Sequence, residues 1–331
     1  LPYTFPSDLA GAETRFLTVS QSRIRRVVTL STSGTTAAPK RLCFTDEDLD
    51  FTEDFFLHGM STFTPPGSVA AVFMEGPRPD SIGQLLVRAL ARIDCAVHVF
   101  GLVRDPAEAA ARVDAVRPDV VVGLPAQLGA VSGRTRHRPA SVLVSADMAP
   151  PSLSRRIEER WSCTVYNHYG LTESGWGAAV ECRARQGCHV RELDLLFEIV
   201  DAKGRVLPDG HWGEVVLTTL GRAAFPLVRY RTGDEGRFLP GTCPCGSPLK
   251  RLEVLGRLPQ KGAGGVPLRL YDVEDALWAF PWIWDFRISL SGPAESPEKM
   301  TVPLAAAGND PGPSADATVV ETLRKVQGVP G

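Results

Sequence analysis

The chain has 331 residues, 44% of them hydrophobic, and a formal net charge of −2. It can bury a sizeable core, and it carries no block of like charge of the kind that binds nucleic acid or an anionic membrane. Its longest apolar runs are strand-length, so no transmembrane helix is predicted, and residues 1–10 lack the apolar stretch of a signal peptide. Seven cysteines, an odd number, fit reduced thiols or metal ligands in a cytoplasmic protein better than a disulfide framework.

In chain order, an apolar run at residues 26–30 predicts a strand. It leads into Thr29-Leu30-Ser31-Thr32-Ser33-Gly34-Thr35-Thr36-Ala37-Ala38-Pro39-Lys40, a hydroxyl- and glycine-rich loop closed by a lysine. Such a loop offers N–H groups, hydroxyls and one cation to a polyphosphate, though an ordinary surface turn can look the same. It is not a Walker A loop, which needs G-x-x-x-x-G-K-[ST]. Thr45-Asp46-Glu47-Asp48 predicts a capping box opening a helix that carries Phe51, Phe55 and Phe56. Short apolar runs at 69–75, 96–103, 119–124, 141–145 and 163–167 predict parallel strands buried on both faces, and Asp105-Pro106 starts a helix between two of them. Right-handed crossovers then give an α/β fold with a doubly wound, mainly parallel sheet.

Beyond Gly175 the pattern changes to strands at 177–181, 195–201, 213–220 and 226–231 with short turns such as Asp209-Gly210. This predicts a β-rich subdomain, a distorted barrel or small sheet. A helix at 272–280, strands at 286–291 and 300–307 and a Gly/Pro/Asp/Ser-rich loop at 308–317 follow. The division expected is a large domain over 1–256 (α/β layer 1–175, β-rich part 176–256) and a small, incomplete α+β C-terminal domain over 257–331. Trp278, Trp282 and Trp284 with Phe280 and Phe286 read as the packed core of that small domain.

Two further segments bear on the loop. They are Tyr166-Asn167-His168-Tyr169-Gly170-Leu171-Thr172-Glu173 and Pro226-Leu227-Val228-Arg229-Tyr230-Arg231-Thr232-Gly233-Asp234. In this order the three resemble the S-G-T-T-G-x-P-K, Y-G-x-T-E and Y-R-T-G-D motifs of the adenylate-forming enzymes: acyl-CoA synthetases, peptide-synthetase adenylation domains and luciferases. Ala37 stands where glycine is usual. Leu1-Pro2-Tyr3-Thr4 and Cys243-Pro244-Cys245-Gly246 narrow the resemblance to the phenylacetate–CoA ligase branch. It covers roughly residues 1–290.

The resemblance implies an AMP-forming acid–thiol ligase that activates a carboxylic acid, aryl or arylacetic, with ATP and passes the acyl group to CoA. A carboxylate attacking a phosphate needs charge neutralisation and alignment. Ser33, Gly34, Thr35, Thr36 and Lys40, with Ser31 in support, would hold the phosphates. Glu173 would bind Mg²⁺ beside Thr172. Tyr169 would stack on adenine, Gly170 would let the backbone approach, Asp147 and Asn167 would flank the nucleotide, and Asp234 would take both ribose hydroxyls, with Arg257 beside it at the hinge. His168 reads as a packed or hydrogen-bonded residue rather than a catalyst. The pocket for the acid is expected from residues 73–77, 123–125 and Asn167.

Cys182, His189, Cys243 and Cys245 make a Cys₃His set that suits a structural, tetrahedral Zn²⁺. Cys188 could replace Cys182, and free thiols on a hairpin remain the alternative. Cys43, Cys95 and Cys163 read as small core residues. The chain ends at Val329-Pro330-Gly331 with Lys325 as its last lysine, without a match to the family's P-x-x-x-x-G-K segment, and the phosphate loop comes early. An N-terminal part and the mobile catalytic-lysine segment are therefore expected to be missing, which predicts slow adenylation and leaves a second reading open: a reduced homologue that binds nucleotide or acyl-adenylate without full ligase activity. The expected partner is a small-molecule acid, with no nucleic acid and no membrane; a homodimer is left open.

Overall fold

The structure, a computed structural model, describes residues 1–30, 39–293, 297–306 and 313–330. Ser31, Ser33, Gly34, Thr35 and Thr36 lie outside the described residues.

The chain opens with two single-turn helices, α1 (Pro6–Leu9) and α2 (Glu13–Phe16), and then a two-stranded antiparallel ribbon, β1 (Arg26–Leu30) and β2 (Lys40–Phe44). The strand at 26–30 thus forms where expected but pairs with the chain after the hydroxyl-rich loop instead of entering the parallel layer. α3 (Asp46–Ser61) begins at the predicted capping box: the Asp48 N–H donates to Thr45 Oγ1 at 3.2 Å and the Thr45 N–H to Asp48 Oδ2 at 2.9 Å. Asp48 is fully buried because its carboxylate also accepts from the N–H groups of Ala223 and Ala224, at 2.8 and 3.1 Å. A local cap therefore doubles as a long-range tie.

Strands β3 (Val69–Phe73), β4 (Ala96–Val99), β5 (Val120–Gly123), β6 (Ser141–Val144) and β7 (Thr164–Tyr169) are all parallel. They alternate with helices α4 (Ile82–Ala91), α5 (Pro106–Val116), α6 (Pro125–Ser132) and α7 (Pro151–Trp161). Asp105 caps α5 through the Ala107 N–H and Pro106 occupies its first turn, as the sequence indicated. β3, β5 and β6 are buried almost throughout, since helices cover both faces.

The β-rich part is not a separate barrel. β8 (Ala179–Glu181), β9 (Cys188–Val190), β10 (Leu195–Val200), β11 (Gly213–Thr219), β12 (Tyr230–Leu239) and β13 (Arg251–Arg257) continue the layer antiparallel, through β7–β8. One eleven-stranded sheet results, in the order β10-β11-β12-β13-β9-β8-β7-β6-β5-β3-β4. The strand expected at 226–231 starts only at Tyr230, because Arg229 sits at φ 48°, outside strand geometry.

The expected boundary at 256/257 falls at the end of β13. The residues after it form small elements: hairpin β14 (Gln260–Lys261) with β15 (Pro267–Leu268), helix α8 (Leu270–Trp278), β16 (Ile283–Phe286) paired with β19 (Leu304–Ala306), β17 (Ser289–Ser291) paired with β18 (Lys299–Thr301), and α9 (Pro313–Leu323). Residues 313–317, read as loop from their composition, start α9. Leu268, Val273, Leu277, Ile283, Val319 and Leu323 make this lobe's own core. Two of the tryptophans do not sit at its centre. Trp278 packs on the α7 side of the parallel layer, and Trp284 lies under the guanidinium groups of Arg134 and Arg160, 3.9 and 5.0 Å from its ring. Buried Arg156 of α7 donates to the carbonyls of Ile283, Phe280 and Trp278, tying the lobe to the large layer. Among the described residues no helix is long and apolar enough to cross a membrane.

Candidate functional site

The strand alternation of β7 sorts its side chains to opposite faces. His168 faces α3, with its ring 5.5 Å from Phe55. Tyr169 faces the other side, where its hydroxyl donates to Asp234 Oδ2 at 2.8 Å. Beyond the carboxyl ends of β6 and β7 lies a cleft of about 220 Å³, lined by Asp147, Tyr169, Gly170, Asp234, Arg257 and Glu274 among others. Crevices at this edge are where open α/β sheets place their ligands.

Asp234 is buried at the floor of this cleft. Burial raises its pKa, and the Tyr169 hydroxyl and the Arg257 charge oppose that rise. Arg257 Nη1 stands 3.5 Å from Asp234 Oδ1 and donates to the Thr232 carbonyl at 2.9 Å. Glycine is required at 170, where an added Cβ would sit 2.1 Å from the Trp176 carbonyl oxygen; the close approach is to protein backbone. Asn167 does not line the cleft. Its N–H and its Nδ2 donate to Glu181, at 2.7 and 3.3 Å, and its Oδ1 accepts from Ala149 at 3.1 Å, so it braces the loop after β6. Asp147, on that loop, does line the cleft, and burial raises its pKa.

A second corner is built on the same two segments. Glu173 Oε1 accepts from Lys40 Nζ at 2.7 Å and from the Tyr230 hydroxyl at 2.8 Å, and Lys40 also reaches the Tyr230 oxygen at 3.3 Å. Both members of the ion pair are largely buried, with side chains 16% and 8% exposed, so its Coulomb energy is poorly screened. Residues 169–173 and 230–234 thus supply the Tyr169–Asp234 floor and, with Lys40 of β2, the Lys40–Glu173–Tyr230 corner. Thr172 lies in the turn between them, its carbonyl accepting from Gly175. The Leu1-Pro2-Tyr3-Thr4 segment docks on β12: Thr4 bridges Tyr230, and the Tyr3 ring lies 4.1 Å from the Arg229 guanidinium.

The four expected zinc ligands converge, with their ligand atoms all within 4.8 Å of one another. Cys182 Sγ lies 3.6 Å from Cys243 Sγ, and Cys245 Sγ 3.3 Å from His189 Nε2. A tetrahedral site with metal–sulfur bonds of about 2.3 Å has sulfur–sulfur edges of about 3.8 Å, and the set matches that size to within about 1 Å. Burial lowers the pKa of His189, which favours the neutral, ligating imidazole, and raises that of the Cys182 thiol. Cys188 is not part of the set. It precedes His189 in β9, points to the opposite face and donates toward the Asn167 carbonyl.

Sequence reasoning gave no role to Tyr230, Tyr271 or Glu274. Tyr230 stood inside a quoted motif. Glu274 carried a readable signal: Leu270, Val273 and Leu277 form the apolar stripe of α8, and position 274 falls on the same face. Burial, with Asp147 nearby, pushes its pKa up to about 7.

The chain belongs to the AMP-binding enzyme family, whose model matches residues 26–222. Among its relatives, the phenylacetate–coenzyme A ligase of Thermus thermophilus is 33% identical over 181 residues, covering 50% of this chain and 40% of that protein. The Pseudomonas putida phenylacetate–coenzyme A ligase is 43% identical over 109 residues, 32% of this chain and 24% of that protein. The matched segments span less than half the length of these relatives. In fold, the chain superposes with a TM-score of 0.81 on a 2-hydroxyisobutyryl-CoA ligase in its postadenylation state, at 18% identity, covering 98% of this chain and 72% of that one. The anthranilate–CoA ligase AuaEII gives 0.68 at 14% identity, covering 90% and 60%.

Proposed function

We propose that this chain activates a carboxylic acid with ATP, forming an acyl-adenylate and pyrophosphate, and that the acyl group then passes to the thiol of CoA. The observation that carries this reading is the convergence of segments 169–173 and 230–234. They place a buried carboxylate, Asp234, at the floor of a cleft and a buried cation–carboxylate pair, Lys40–Glu173, beside it. Asp234 has two oxygens for the two ribose hydroxyls. Lys40, already held by Glu173 and Tyr230, presents a fixed positive charge where phosphate charge develops, with little reorganisation needed. Ser33, Gly34, Thr35 and Thr36 complete the phosphate contacts in this reading, and Thr172 adds a hydroxyl. Glu173 would hold a magnesium ion, which would supply Lewis-acid neutralisation of the phosphates; one carboxylate is enough for it, and among the described residues Lys40 and Tyr230 both donate to its Oε1. The neighbouring small lobe, from residue 257 on, contributes Tyr271 and Glu274 to the cleft wall.

The test is acid-dependent ATP–pyrophosphate exchange. Exchange should require an acid and should fall by about 10² or more in Glu173→Gln, which removes the charge facing the metal. Absence of exchange with every acid tried, aryl and aliphatic, would remove the reading. The aryl or arylacetic acid implied by the resemblance draws its support from the phenylacetate ligases; the cavity described below argues for a smaller one.

We also propose a structural zinc ion held by Cys182, His189, Cys243 and Cys245. It would clamp β9, the chain after β8 and the loop before β13 at one point.

A further inference from the structure

His168 belongs to two cavities. One is the cleft that holds Asp234 and Tyr169. The other, of about 20 Å³, lies on the α3 side and is walled by Phe55, Met74, Leu86, Ser145, Val180 and His168. If the acid's carboxylate meets the nucleotide in the cleft, its tail must leave through a wall, and His168 is a residue the two spaces share.

The second cavity is nearly apolar, with two polar side chains, Ser145 and His168. His168 is only 6% exposed. Its Nδ1 lies 3.1 Å from Ser145 Oγ, and its Nε2 is buried with no partner among the described residues. A buried nitrogen left unpaired costs about 1–3 kcal/mol, and native structures rarely carry one without a reason. Burial lowers the pKa of this imidazole to about 4, so near neutral pH it offers one donor and one acceptor rather than a charge. A free volume of this size holds about one water molecule. It has no space for a phenyl ring unless its walls move.

Resting on the acid-activating reading above, we propose that this cavity selects the acid, and that the substrate is a short-chain hydroxy acid whose hydroxyl pairs with His168 Nε2. The hydroxyl takes the place of a single water and satisfies the orphan nitrogen, while the carbons that carry it reach in from the cleft. A plain acid of the same length leaves Nε2 unpaired. An arylacetic acid overfills the cavity.

The experiment uses stable acyl-sulfamate analogues of the acyl-adenylate, so that affinity is read without turnover. AMP, the propanoyl analogue, the 2- and 3-hydroxypropanoyl analogues and the phenylacetyl analogue are titrated by calorimetry into the full chain. One hydroxy analogue should bind about 10-fold more tightly than its deoxy partner, the worth of one buried hydrogen bond, and the phenylacetyl analogue should bind more weakly than either. In His168→Leu the hydroxy-to-deoxy ratio should fall to about one, whereas His168→Gln, which keeps a hydrogen-bonding tip, should retain part of it. The ratio within one variant is insensitive to a general loss of fold, and the wild-type comparison stands even if His168→Leu does not fold. Equal affinities for hydroxy and deoxy analogues, or a phenylacetyl analogue that binds tightest, would overturn the hydroxy-acid inference while leaving acid activation in place. A protein that binds neither AMP nor any analogue would overturn both.

Discussion

The Lys40–Glu173–Tyr230 corner and the Cys182–His189–Cys243–Cys245 cluster are both assembled from residues far apart in the chain, yet they balance charge in opposite ways. In the first, a lysine and a glutamate neutralise each other within 2.7 Å, and a tyrosine fills the third position. Within that pair the two charges are matched before any ligand binds. In the second, three sulfurs and an imidazole face one another, and the four ligating side chains carry no positive charge of their own once the imidazole is neutral. Burial and the neighbouring thiols raise the pKa of Cys182, and a bound cation would favour its thiolate. On the proposed reading, the site that binds and releases a charged substrate carries its own counter-charge, whereas the site that holds the fold would be completed by an ion.

The largest effect should come from the cluster. Protein purified without added metal is expected to hold close to one zinc per chain by elemental analysis, and Cys243→Ser/Cys245→Ser to hold none. Removing the clamp should cost about 3–5 kcal/mol, seen as a melting temperature lower by roughly 10 °C. An unchanged zinc content in the double variant would break the comparison, since the cluster would then be a set of free thiols.

The ion pair comes next. Lys40→Met leaves Glu173 as an uncompensated buried carboxylate and should destabilise by about 3 kcal/mol, whereas Lys40→Met/Glu173→Leu should recover most of that loss. Chemical denaturation of the two single variants and the double variant reads the coupling directly. Additive losses would mean that the two side chains do not sense each other.

How much of this was readable beforehand follows from range. The capping box at Thr45 and Asp48 is local and was visible, as were the buried parallel strands, whose apolar runs need no partner to be recognised. The second function of Asp48, holding Ala223 and Ala224, is spread over 175 residues of chain and leaves no local trace. Three motifs pointed to Tyr169, Asp234, Glu173 and Lys40, but not to the Lys40–Glu173 bond, which spans 133 positions. The choice between Cys182 and Cys188 was open in the sequence because β9 was not recognised. Once that strand is known, period-two alternation puts Cys188 and His189 on opposite faces. Residues 313–317 misled because proline and aspartate mark loops and helix starts alike.

A further effect concerns the cleft wall. The pKa of Glu274 is raised to about 7 by burial and the neighbouring Asp147. The folded protein then holds a proton that the unfolded chain has lost, so this group's stabilising contribution is full below pH 4.5 and fades as the pH rises toward 7. Glu274→Gln should flatten the fall in stability over that window, measured by denaturation at a series of pH values. An identical slope in the variant would show that Glu274 titrates as it does in the unfolded chain.

The account stands or falls on whether the Tyr169–Asp234 floor holds a nucleotide. Calorimetric titration of AMP into the wild type, Asp234→Asn and Cys243→Ser/Cys245→Ser, at a temperature where all three are folded, tests it. The account predicts binding by the wild type, an affinity about 10- to 100-fold lower in Asp234→Asn through loss of charge-assisted hydrogen bonds, and near wild-type affinity in the cysteine variant. Equal affinities in the wild type and Asp234→Asn, or no AMP binding by the wild type, would contradict it.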